Sequence, residues 1–153
     1  MIANELGVTK AAVYRQYKTR DEIVLAAAEA ELARLAAVVE AAEAESSRER
    51  AREVLLEGMV DLCVDRRRTV STILSDPVVD GFFAAHEGFR DVMRRLRGVL
   101  VGEDAGPAGR VRTAMLIAAT SGAVTHPFVV DLDDDVLRAQ LLSLARGFLG
   151  LSA

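Results

Sequence analysis

The sequence predicts an all-α protein, a short helix-turn-helix head followed by a helical body. Three observations carry this. Alanine is abundant, while Pro (three) and Trp (none) are scarce, which favours helix. Apolar residues recur at steps of three and four along most of the 153 residues, and no convincing alternating, strand-like run appears. The breaks fall on residues suited to helix ends: Gly7, Ser46 and Ser47, Asp76-Pro77, the Gly-containing stretch 102–109, and Thr125-His126-Pro127.

The head is residues 2–23, IANELGVTKAAVYRQYKTRDEI. Ile2, Ala3 and Leu6 stand at helical spacing and meet Gly7, which tolerates the left-handed conformation that ends a helix. Thr9 is placed to cap a second helix, to about Tyr17, with Ala12 and Val13 turned inward. Lys10, Arg15 and Gln16 remain for an outer face, with Tyr14 nearby. A short helix, a Gly turn and a second polar helix make a helix-turn-helix. Thr19 opens a third helix in a capping-box relation with Glu22. Lys18 and Arg20 flank that start, where free N–H groups already favour a phosphate.

This run resembles the DNA-binding signature of the TetR family of transcriptional regulators. Ile2, Ala3, Gly7, Val8, Thr9, Val13, Tyr14, Tyr17, Arg20, Asp21 and Ile23 fill the family pattern at its spacing. In that family another helix precedes the stretch. Here Met1 adjoins Ile2, so the head is expected to be partial. The division expected is a partial DNA-binding domain over 1–24 and an effector-binding and dimerisation domain over 25–153. The resemblance implies a ligand-responsive repressor that binds a palindromic DNA operator as a homodimer. It puts Thr9, Tyr14 and Arg20 on phosphates, with Lys18 beside Arg20 at that helix start, and Lys10, Ala11 and Arg15 beside base edges or the neighbouring backbone. Arg and Lys can pair guanine, and a small residue admits a thymine methyl. Tyr17 is more simply a packing residue.

Charge agrees with a DNA-facing tip. The net charge is −4, but residues 1–20 carry +3 and the remainder −7. The body reads as helices in order. One long alanine-rich helix runs from Thr19 to about Glu45. A second, capped by Ser47, runs from about Arg48 to Arg66, with Arg66, Arg67 and Arg68 at its C-terminal end. Thr69 to Ser75 is a short helical turn with Val70, Ile73 and Leu74 inward. Asp76-Pro77 starts a helix to about Val101, with Phe82, His86, Phe89, Met93, Leu96 and Leu100 on one continuous face. The next helix, about Ala108 to Ala123, is almost uncharged after Arg112 and must be buried on most sides, by its own core or by a partner chain. The acids of 131–135 belong at the N-terminus of the last helix, where the helix dipole favours carboxylates.

By the resemblance the body encloses a cavity for a small apolar or amphipathic effector. Candidate lining groups are Met59, Cys63, Phe82, His86, Phe89, Met93, Met115 and Thr120, residues that equally suit a plain core. The last two helices resemble the family's dimer interface, with Ile117, Ser121, Val124, Leu141, Leu144 and Phe148 as candidates.

No catalytic residue, cofactor or metal is expected. Two histidines and one cysteine do not make a metal cluster by spacing, and there is no phosphate loop or nucleophile elbow. Two other readings stay open: a helical ligand-binding and dimerisation module that does not bind DNA, and a small helical enzyme seeded on His86 and Cys63. No apolar run is long enough to cross a membrane, no signal-peptide layout is present, and the lone Cys63 fits a reducing cytoplasm.

Overall fold

The computed structural model describes Tyr17, residues 19–102 (the side chains of Asp80 and Ala84 excepted) and residues 105–151. Among these, seven helices and no strand are found: α1 (Arg20–Glu43), α2 (Arg48–Asp65), α3 (Arg67–Leu74), α4 (Pro77–Ala85), α5 (Glu87–Val101), α6 (Gly106–Ala123) and α7 (Asp134–Leu149).

Several boundaries follow the local chemistry. Thr19 Oγ1 accepts from the Glu22 N–H at 3.1 Å and starts α1. Ser47 Oγ accepts from the Arg50 N–H at 3.1 Å and starts α2. Asp76 caps α4, accepting from the Val78 N–H at 3.2 Å, with Pro77 in its first turn. Asp133 accepts from the Asp135 N–H at 2.9 Å, with Asp134 and Asp135 in the first turn of α7. Gly150, at φ +68°, ends α7 in the left-handed region. The expected division at residue 24 falls inside α1, which runs unbroken across it.

Two expectations are corrected and a third is narrowed to its partner-chain alternative. The helix from Pro77 does not run to Val101. His86 turns extended (φ −78°, ψ 115°), and its Nδ1 accepts from the Phe89 N–H at 3.1 Å, so it caps a new helix. The continuous face through Phe82 and His86 is therefore broken. The arginine triplet does not simply end α2. Arg66 stands between α2 and α3, and Arg67 and Arg68 open α3. Cations at a helix start are disfavoured by its dipole, but Arg67 meets Asp134 at 3.3 Å and Arg66 meets Glu31 at 2.7 Å. Finally, α6 is not buried on most sides of the single chain. Gly109, Thr113, Leu116 and Thr120 form one buried stripe, while Val111, Met115, Ala118 and Ala119 are exposed.

α2 is central, packing on α1, α5 and α7. Its Leu55, Leu56 and Met59 meet Val39 and Ala42 of α1, Val92, Leu96 and Leu100 of α5, Leu116 of α6 and Ala145 of α7. A second cluster joins Val24, Ala27 and Ala28 of α1 to Ile73 and Val79, with Phe82 and Phe83 against it. A third joins Val60 and Val64 of α2 to Val124 and Leu137. Along α2, Glu53, Glu57, Asp61 and Asp65 recur every fourth residue. Arg146 of α7 takes Glu53 (2.8 Å) and Glu57 (3.3 Å), and Arg138 takes Asp61 (2.7 Å) and Asp65 (2.6 Å). This ladder fixes the register of α7 on α2, with each exposed pair adding little stability. No described helix is long and apolar enough to cross a membrane.

Candidate functional site

The feature best suited to function is a cavity of about 210 Å³ that members of both the first and second clusters line. α1 supplies Ala28, Glu31, Leu32 and Leu35, a single face at helical spacing. α2 supplies Met59, Leu62 and Cys63, α3 Val70, Ile73 and Leu74, and α4 Phe83. α5 supplies Phe89, Met93 and Leu96, and α6 Ile117, Thr120 and Ser121. One aromatic wall is stiff, since the Phe83 and Phe89 rings stack with centroids 4.3 Å apart.

The polar groups on this wall are few and mostly engaged. Thr120 donates to the Leu116 carbonyl and Ser121 to the Ile117 carbonyl, both at 2.8 Å. Burial pushes the Cys63 thiol up from 9.0 to about 11, because an apolar surround disfavours the thiolate. Glu31 is the one charged residue among the lining groups. Its Oε1 accepts from Arg66 Nε at 3.2 Å, Arg66 Nη2 at 2.7 Å and Arg34 Nη1 at 2.9 Å. Such a lining suits apolar molecules, and burial keeps the Cys63 thiol protonated at neutral pH. No group of three or more metal-ligating side chains occurs among the described residues.

Of the candidate ligand residues, Met59, Cys63, Phe89, Met93 and Thr120 line the cavity together. Phe82, His86 and Met115 do not. Phe82 packs on the second cluster. His86 spends its Nδ1 on the α5 cap. Met115 is 55% exposed on the outer side of α6. Phe83 and Glu31 were not foreseen. Phe83, in α4 before the break at His86, lines the cavity stacked on Phe89 of α5. Glu31 is one of several acids in α1, and its sequence neighbours do not single it out.

The dimer candidates divide as well. Ile117 and Ser121 line the cavity, Val124 is buried in the third cluster and Leu141 packs against it. Leu144 and Phe148 are exposed, at 71% and 42%. Val136 of α7 is exposed as well, as are Val111 and Met115 of α6.

Among the candidate DNA-contact residues, Thr9, Lys10, Ala11, Tyr14, Arg15 and Lys18 lie outside the described residues, as does the helix-turn-helix. Arg20 is described. Its side chain is 71% exposed, yet Nη2 reaches Oδ2 of the buried Asp76 at 2.5 Å. It therefore ties the start of α1 to the start of α4.

Comparisons with protein-family models, curated proteins and solved structures give no match to this chain.

Proposed function

We propose that this chain is a DNA-binding transcriptional regulator of the TetR type, its helical body taking a small apolar or amphipathic effector and pairing two copies. The observation that carries the reading is continuity. The signature run of residues 2–23 leads into α1, and one face of that same 24-residue helix walls an apolar cavity. A ligand touching α1 therefore touches the helix that holds the head. A ligand alters DNA affinity only by binding the DNA-competent and DNA-incompetent states unequally, and a wall shared with the connecting helix supplies that inequality. Repression, with release by the effector, is the family's usual sense. The exposed apolar sides of α6 and α7 support a two-fold pair, which suits a palindromic operator.

The test is selection of bound duplexes from a random DNA pool at two salt concentrations. Enrichment of a palindromic site, with affinity falling steeply as salt rises, supports the regulator. Recovery of no enriched site turns the reading to a ligand-binding and dimerisation module without DNA function.

A further inference from the structure

We propose that the cavity selects a wholly apolar molecule of one or two rings and rejects close analogues that carry a hydrogen-bonding group. This rests on reading the cavity as the effector site, and it narrows the effector from apolar or amphipathic to apolar. Among the lining residues only Glu31, Cys63, Thr120 and Ser121 carry a polar group or a thiol. Each of these is turned to the protein. Glu31 Oε1 accepts from Arg34 and Arg66, and Oε2 is buried. Thr120 and Ser121 donate to the Leu116 and Ile117 carbonyls of their own helix, and Thr120 is buried. Burial holds Cys63 as a neutral thiol, a weak donor. The wall that a ligand can touch is therefore almost wholly apolar.

A ligand O–H or N–H that enters such a space loses its hydrogen bonds to water and gains none, and an ionised group loses more. A hydrocarbon of the same shape loses nothing of the kind, and apolar cavities take such molecules readily. Leu74, the one exposed residue among the lining groups, is apolar as well, so the most open part of the wall gives a polar group no anchor either. Size narrows the class further. The volume, about 210 Å³, exceeds the roughly 150 Å³ that holds a benzene ring. It falls below the roughly 300 Å³ at which drug-sized sites begin. A fused bicycle or a short alkyl-substituted ring fits these limits.

Indene and indole are nearly identical in shape and differ by one N–H. Calorimetric titration of the intact chain with each isolates that group. Indene is expected to bind about tenfold to a hundredfold more tightly, the range for burying an N–H without a partner. Met93→Gln, close in length, puts an amide on the wall and is expected to shrink the preference about threefold to tenfold. A preference that a folded Met93→Gln variant leaves unmoved is not set by the wall and overturns the proposal. The comparison in the unaltered chain decides the matter even if the variant folds poorly. Alkylation of Cys63, on the same wall, reports occupancy independently. If indole protects Cys63 and binds as tightly as indene or more so, the cavity is a ligand site and its selectivity for apolar molecules is overturned. If neither compound binds or protects Cys63, the effector-site reading fails and this proposal with it.

Discussion

Three residues show how surroundings override the properties of a side chain in water. Cys63 is the only cysteine, and a free thiol would be reactive. With its thiol raised to about 11, only about one molecule in a thousand is thiolate at pH 8, and iodoacetamide should label it about a hundredfold more slowly than free cysteine. The same shift sets a sign for stability. The folded state holds the proton longer than the unfolded state, so the contribution is intact below pH 9.0 and is lost as pH rises through about 11. Melting curves of Cys63→Ala should lack that part of the alkaline loss. Gly58 sits inside α2, where alanine is intrinsically better by about 1 kcal/mol. A Cβ there would stand 2.5 Å from Cγ1 of Val38, a β-branched side chain with little freedom in a helix. Gly58→Ala should therefore destabilise by about 1–3 kcal/mol in denaturant titration, and Val38→Ala should relieve it. Arg20 faces both ways. Arg20→Ala should lower the melting temperature by leaving the buried Asp76 carboxylate unpaired, and Asp76→Asn should restore stability in the double variant while keeping a capping side chain. If Arg20 also meets a phosphate, DNA binding in that double variant stays weakened and less salt-dependent. An unchanged salt slope removes the phosphate role.

At the scale of elements, the junction of α4 and α5 decides which aromatic groups reach the cavity. Read as one helix, residues 77–101 put Phe82 and His86 on the inner face. Read as two, they replace Phe82 and His86 there with Phe83, keep Phe89, and leave His86 as the cap. His86→Ala should cost about 1 kcal/mol through loss of that cap, and His86→Asn should retain most of it. Denaturant titration of the three proteins orders them. The short α3 is a second such case. A helix opening on Arg67 and Arg68 contradicts its own dipole, and is held by carboxylates from distant helices, Glu31 of α1 and Asp134 of α7.

At the scale of the molecule, five of the eight large exposed apolar groups among the described residues lie on α6 and α7, which pack on one another, with Phe128 and Val130 in the segment between them and Leu74 on α3. A stable pair of copies buries on the order of 1,200–2,000 Å², and the proposed pairing puts the exposed Leu144 and Phe148 in that contact. Leu144→Glu with Phe148→Glu should turn a dimer into a monomer in sedimentation. The same change should leave the folding of each chain intact, because neither residue is buried in the single chain. Val124, 1% exposed among Val60, Val64 and Leu137, should behave in the opposite way: a charge there should unfold the chain. A sedimentation profile unaltered by the double glutamate variant would remove α7 from the interface.

The sequence alone determined what depends on neighbours within a few residues. Helical periodicity, Thr19, Ser47, Asp76-Pro77 and the acids before α7 gave the helical class and most helix starts, because capping acts over three or four positions. Met59, Cys63, Phe89, Met93 and Thr120 were legible as inner-face groups, and the family resemblance alone made them cavity candidates. The acid stripe from Glu53 to Asp65 gained its meaning only from arginines eight residues apart on another helix. The tertiary structure decided the rest. It placed Ile117 and Ser121 in the cavity and Met115 on the surface, a rotation of one helix about its axis that its nearly uniform, uncharged sequence does not specify. It also chose the break at His86 and brought Arg66 from the end of α2 to Glu31 in the middle of α1. Those outcomes depend on groups tens of residues apart, and their energy exists only once the helices have packed.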